Sequence, residues 1–297
     1  IQPTMQDGMP LKDVNGNWQY LTIHHLNLTH VGGTVDLSQV DSIEIMVQPV
    51  GGQTPVVTID NLGYVENYKP GAFTITYDDQ YDSMWTEVFP RHREKGWAGS
   101  LFVSTNYVEN AAWPGRLTWA QIKQMHDAGW NCISHSDNHP NMDEIALDQV
   151  RNELIVSKRK LQSRGIFGPD MFAWPVGKWD FAAMAEAEKH YRYTFQANQL
   201  FGGNAPGPYQ TALYRNFAEQ ADPATVTAWI DAVKEHGGLL VLYFHKFGTS
   251  PDWGVGYDLT KYQTILDYAE TSGLEHINLD EAVRRMDYLL PAQPPEM

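Results

Sequence analysis

The sequence predicts an α/β barrel preceded by a small all-β segment, and three observations carry that prediction. From Pro70 onward short apolar runs alternate with helical patterns. The alternation repeats often enough to close a barrel. The polar residues able to do chemistry stand at the C-terminal ends of the strands, where parallel barrels assemble their sites from successive loops.

Residues 1–66 carry no helical pattern. Ile43, Ile45 and Val47 alternate with Glu44, Met46 and Gln48, and Val56-Val57-Thr58-Ile59 lies between Gly51-Gly52 and Asn61-Leu62-Gly63. A segment this short makes a marginal core, so it is expected to pack on the following domain or to be the remainder of a larger β-sandwich. It resembles the closing strands of a jelly-roll carbohydrate-binding module. Residues 67–297 form the second unit. Its strands are expected at 72–77, 99–104, 130–134, 171–174, 191–195, 213–217, 239–244 and 274–277. Helices are expected near 83–95, 118–128, 143–164, 179–190, 223–236, 259–272 and 279–289. Thr118 reads as the start of a capping box with Gln121, and Gly129 follows that helix where a C-terminal glycine belongs.

Bulk properties narrow the function. The chain of 297 residues has 21 Lys+Arg against 36 Asp+Glu, a formal charge of -15, and no basic cluster able to track a phosphate backbone. Nucleic acid is excluded as an expected partner. Cys132 is the only cysteine, so no internal disulfide forms, and it reads as a buried small hydrophobe. No run of about 18 apolar residues could span a membrane. The chain opens on Ile1 without a basic start and apolar stretch, which suggests a processed or truncated product.

The chemical residues form two constellations. Asp78 and Asp79 follow the first strand, and His135 and His139 follow the third. Imidazole and carboxylate ligands suit a zinc-like divalent ion, and three protein ligands leave a coordination position open. Histidines four apart share a face if the segment takes a helical turn. Two adjacent aspartates allow one to bind the ion while the other takes a proton. Asp137, between the histidines, is read as capping the next turn. His245 ends the apolar strand Leu240–Phe244 and has a pKa suited to a general acid. Trp113, Trp174, Trp179, Trp253 and Tyr257 are candidate sugar-stacking faces. His24, His25 and His30 lack a carboxylate motif and read as exposed side chains.

Taken in order, TYDD at 76–79, HSDNH at 135–139, FAWPVG at 172–177 and LYFH at 242–245 resemble the polysaccharide deacetylase family, carbohydrate esterase family four, over about residues 70–290. The resemblance implies a distorted barrel of about seven β/α units. It implies Asp78 as catalytic base, Asp79, His135 and His139 as metal ligands, His245 as general acid and the backbone N–H of Val176 as an oxyanion donor. Trp174 joins the substrate-binding candidates. The implied cofactor is one divalent ion, Zn2+ first, with Co2+, Ni2+ or Mn2+ as alternatives. Three departures stand out. Gln80 replaces the glycine that usually follows the aspartates. Ala173 replaces an arginine that orients the base, with Lys178 and Arg215 as candidate substitutes. No aspartate and tryptophan motif between 191 and 216 is present to tune His245.

The implied function is metal-dependent removal of acetyl groups from a carbohydrate, foremost N-deacetylation of an N-acetylglucosamine-type polysaccharide, in an extracellular, periplasmic or cell-envelope setting. The alternatives are an O-acetyl xylan esterase or small amide hydrolase of the same fold and, in another class, a noncatalytic carbohydrate-binding protein. A polysaccharide or oligosaccharide is the expected partner.

Overall fold

The computed structural model describes residues 70–168, 170–198, 212–252 and 254–289. The expected β segment at 1–66, its histidines and Trp253 lie outside the described residues. From Pro70 onward the chain folds as the expected α/β barrel.

Seven parallel strands form the wall: β1 (Ala72–Asp78), β2 (Ser100–Val103), β3 (Asn131–Ser134), β4 (Met171–Ala173), β5 (Tyr193–Asn198), β6 (Ala212–Phe217) and β7 (Leu239–Phe244). They are hydrogen-bonded in chain order, and β1 pairs with β7 from Ala72↔Leu239 to Tyr77↔Phe244 to close the ring. The wall is uneven, since β3 and β4 share only the Ser134↔Phe172 pair. A two-residue strand, Glu275–His276, adds to the N-terminal end of β1.

Every residue of β1 and of β7 is buried. Inner and outer faces are both covered, so β7 reads as a continuous apolar run, whereas β1 alternates Phe73, Ile75 and Tyr77 with the buried polar Thr74, Thr76 and Asp78. Inside the barrel Phe102, Ile133, Met171, Ala173, Phe195 and Val241 fill the space. Outside, Ile75, Tyr77, Leu101, Leu240 and Leu242 meet helix residues such as Ile122, Met125, Ile230, Val233 and Ile265.

The helices are α1 (Phe89–Lys95), α2 (Trp119–Asp127), α3 (Leu147–Ser163), α4 (Phe181–Ala187), α5 (Pro223–His236), α6 (Leu259–Ser272) and α7 (Leu279–Leu289). The Thr118/Gln121 capping box is formed. Three predicted helices are cut back, the 179–190 pattern to Phe181–Ala187. A π-helical turn, Met84–Val88, occupies the first part of the 83–95 pattern, and Pro90 sits in the first turn of α1, where a missing N–H costs nothing. The 143–164 pattern becomes helical only at Leu147, after Ala146 adopts an extended backbone. Cys132 is free and buried, as expected. Among the described residues no helix is long and apolar enough to cross a membrane.

Candidate metal and acid-base site

The site stands at the C-terminal mouth of the barrel, and strand direction explains its composition. Asp78 is the last residue of β1, and its carboxylate is buried, 3% exposed. At Asp79 the backbone turns to φ 68° and at Gln80 to φ 41°, so the second carboxylate is turned out of the strand's alternation toward the same mouth. Positive φ costs about 1–3 kcal/mol at a non-glycine residue and needs support from its surroundings. The support is visible. Gln80, where glycine was the expected residue, is fully buried and makes two hydrogen bonds with the Ser104 backbone, donating to its carbonyl at 2.8 Å and accepting from its N–H at 3.0 Å. Arg116 donates to the Asp79 carbonyl at 2.6 Å.

His135 and His139 converge on Asp79, and they do so without the helical turn that would place residues four apart on one face. The segment after β3 is an irregular loop with Ser136 at φ 70° and His139 at φ 57°. His139 Nε2 lies 3.3 Å and His135 Nε2 3.9 Å from Asp79 Oδ1. One ligand atom from each of the three residues falls within 4.8 Å of the other two. Asp79 Oδ1 is buried without a hydrogen-bond partner, a costly condition that a cation would relieve. His135 Nδ1 donates to the Ala173 carbonyl at 2.8 Å, and because a carbonyl only accepts, the Nδ1 proton leaves the Nε2 lone pair facing Asp79. Burial holds the His135 pKa down to about 4, so the ring is neutral, as a ligand must be. The residues present fit a divalent ion.

Asp78 has a different partner. Arg215, fully buried on β6, donates from Nη1 and Nη2 to its two carboxylate oxygens at 2.5 and 2.9 Å. Its guanidinium also lies 4.9 Å from the Phe102 ring centre and 4.6 Å from that of Tyr243. Burial alone would raise the Asp78 pKa, but the Arg215 charge, aided by His135, overrides it and brings it down to about 2. Of the two candidate substitutes for the arginine absent at Ala173, Arg215 makes this contact and Lys178 is an exposed side chain on another loop.

His245 follows β7. Its Nδ1 donates to Glu219 Oε2 at 2.7 Å, and its backbone N–H reaches the same oxygen at 2.8 Å. Burial would depress its pKa, yet the Glu219 hydrogen bond and the negative field of Asp78 and Asp79 outweigh that, and the imidazole is held above its ordinary value. Sequence reasoning misses Glu219. The expected place for a tuning aspartate is between 191 and 216, and the carboxylate stands three residues further on, in the short 3-10 helix Ala218–Gln220.

Other expectations need correction. Asp137 caps no helix: its Oδ1 accepts from Thr105 Oγ1 at 2.5 Å and from Lys160 Nζ at 2.6 Å. Trp174 is no sugar platform, being fully buried against Phe172 with its ring near Trp179. Tyr257 is also buried, its hydroxyl donating to the Ala221 carbonyl at 3.0 Å. Trp113 is 43% exposed, stacked on Tyr107 at 4.3 Å, and Tyr107 lies 5.9 Å from the His139 ring. Val176 is exposed at φ 55°, and the next residue, Gly177 at φ 68°, has no room for a Cβ, which would meet that of Ala197 at 2.9 Å.

An α/β barrel with an Asp-His-His cluster beside a buried Asp-Arg pair at its mouth is the class of molecule these features define. The polysaccharide deacetylase family model matches residues 66–195, the span holding Asp78, Asp79, His135, His139 and Val176. YxkH of Bacillus subtilis (strain 168), a curated protein whose polysaccharide deacetylase name is provisional, is 23% identical over 141 residues, 47% of this chain and 50% of that protein. The match thus spans half the length of that relative. Among solved structures, the Bc1960 peptidoglycan N-acetylglucosamine deacetylase is similar with a TM-score of 0.52 at 14% identity, covering 73% of this chain and 90% of that one. BA3943 from Bacillus anthracis, a CE4 family pseudoenzyme, reaches 0.50 at 14% identity, covering 73% and 67%. At such identities the likeness shows the fold alone, and a fold shared with a pseudoenzyme leaves catalysis to be argued from the site.

Proposed function

We propose that this barrel is a metal-dependent hydrolase that releases acetate from a carbohydrate, foremost from an N-acetylated amino-sugar polymer. One observation carries the reading: the two adjacent aspartates are chemically separated. Asp79 has a buried, unpartnered oxygen facing two imidazoles, while Asp78 is held by Arg215.

Asp79, His135 and His139 would hold the ion, and a carboxylate with two imidazoles favours Zn2+ over Co2+, Ni2+ or Mn2+. The bound ion would supply Lewis acidity toward the acetyl carbonyl and the attacking water. Asp78, ionised at every working pH, accepts the proton from that water. So low a pKa makes it a weak base, and Arg215 serves chiefly to fix its direction and protonation state. The Val176 N–H, on its left-handed turn, donates toward the developing oxyanion. His245, whose pKa the Glu219 hydrogen bond helps to raise, would give a proton to the departing nitrogen. Since a polymeric substrate lies outside the cell, the place of action would be extracellular, periplasmic or in the cell envelope.

The test is acetate release from chitin oligomers, acetylated xylan and a cyclic amide, before and after chelation and with divalent ions restored. We expect chitin oligomers to be deacetylated, chelation to abolish acetate release and zinc to return it. Turnover that survives thorough chelation would refute the scheme, and preference for xylan or the amide would move the substrate assignment.

A further inference from the structure

The loop carrying both imidazoles is strained, and something must hold it. Ser136 and His139 adopt positive φ. The β2–α2 loop gives part of the support: Thr105 N–H donates to the Ser136 carbonyl at 3.1 Å and Asn106 N–H to the Asp137 carbonyl at 2.8 Å. The rest comes from α3. Glu153 Oε2 accepts the backbone N–H groups of both Asp137 and Asn138, at 2.9 and 2.7 Å, and its Oε1 accepts the Asn138 side-chain amide at 2.7 Å. Asn138 in turn accepts from the Asn106 side chain at 2.8 Å.

Two successive backbone N–H groups aimed at one carboxylate oxygen form an anion nest, here filled by the protein's own side chain. The two residues they belong to lie between the histidines. We infer that Glu153 is a positioning residue for the metal centre: by locking the 135–139 loop in its left-handed form it fixes the separation of the two imidazoles, and so sets metal affinity. The inference rests on the reading of Asp79, His135 and His139 as metal ligands. Glu153 touches neither the histidine rings nor Asp79 in the bonds it makes, so it acts through the loop's backbone and the Asn138 side chain.

The experiment measures zinc affinity of the whole chain by competition with a chromophoric chelator, together with the thermal midpoint of the metal-free protein. We expect Glu153→Ala to lose about ten- to a hundredfold in zinc affinity, the range found when groups that orient metal ligands are removed. Glu153→Gln keeps one acceptor and most of the volume but presents an amide donor to Asn138; it should lose affinity in the same direction, by less, and it covers the case of an alanine variant that does not fold. Arg151→Ala on the same helix removes the ion pair that ties α3 to Glu186 on α4 and no bond to the 135–139 loop, so it reports on loss of α3 packing without loss of the carboxylate under the loop. Zinc affinity of both Glu153 variants within threefold of wild type, or an equal loss in Arg151→Ala, would overturn the assignment. A wild-type protein that binds no zinc would overturn the metal reading with it, which separates the two failures.

Discussion

Arg215 and Asp78 form a buried, two-pronged ion pair between β6 and β1, with both carboxylate oxygens engaged and the guanidinium lying between Phe102 and Tyr243. A lysine could not reproduce the fork. Arg215→Lys should therefore lower kcat/KM by at least about tenfold, and Arg215→Met should go further and destabilise the fold by about 3–5 kcal/mol, since it strands a buried charge. Without Arg215 the Asp78 pKa rises, so the acid limb of the pH profile should move to higher pH. A profile unmoved in the lysine variant would count against this pairing as the reason Asp78 is ionised.

Asp78→Asn removes the base and keeps its shape. Loss of general base catalysis is worth about 10²–10⁴-fold in rate. Zinc affinity should remain near wild type, because Asp78 is not among the three grouped ligands. Comparing turnover with zinc binding separates the two aspartates, and a variant that keeps its turnover, or loses its zinc, refutes the division between them.

Glu219→Gln tests the tuning of His245. Glu219 and the aspartates raise the histidine's pKa, so its protonated, donating form persists to higher pH than an ordinary imidazole's. Removing the Glu219 charge lowers that pKa. The alkaline limb of kcat should then shift toward lower pH, while KM changes little; an unshifted limb would remove His245 from the role of acid.

Trp113 presents a flat exposed face beyond Tyr107, on the His139 side of the site. Stacking on aromatic faces contributes about 0.5–1.5 kcal/mol beyond area burial. Trp113→Ala should cost roughly three- to tenfold in kcat/KM on a chitin tetramer and little on a small acetyl ester. Equal losses on both substrates would mean that Trp113 only supports the loop.

Acid should also weaken the fold at a place far from the chemistry. His92 is fully buried, bonded at Nε2 to the Tyr77 hydroxyl at 2.8 Å, with Nδ1 unpartnered. Burial, with the nearby His276 and Lys95, pushes its pKa well below 6.5. The unfolded chain then binds the extra proton first as pH falls below about 6.5, and stability contributed by the neutral ring is lost on acidification. The thermal midpoint of wild type should fall from pH 7 to 5 more steeply than that of His92→Gln.

Much of this fold is legible in the sequence, and the exceptions share a cause. Strand 239–244 and helices 223–236, 259–272 and 279–289 stand where the apolar periodicity and caps put them. The alternation of strands and helices is enough to give the barrel, and barrel geometry enough to gather residues at one mouth. What sequence does not supply are pairings between distant strands. Choosing Arg215 over Lys178 requires knowing that β6 and β1 both flank β7, which brings Arg215 beside Asp78. Finding Glu219 requires knowing that the turn after β6 lies beside the end of β7. The HxxxH spacing suggests a helical turn because i and i+4 coincide there, whereas a loop with two left-handed residues also brings the rings together. Trp174 next to proline looks like an exposed loop aromatic, and it does follow the end of β4, but its indole is buried against α3 and α4 residues such as Val150, Leu154, Ala183 and Ala187.

Strand β1 has neighbours on both sides, β2 and β7, and a third, short partner at its base. It also carries Asp78 at its tip and Asp79 just beyond. Such a strand exchanges its amides only when the whole ring opens. The acids are therefore carried by or just beyond a strand paired along both edges, and heat inactivation is expected to track the global melting curve instead of preceding it.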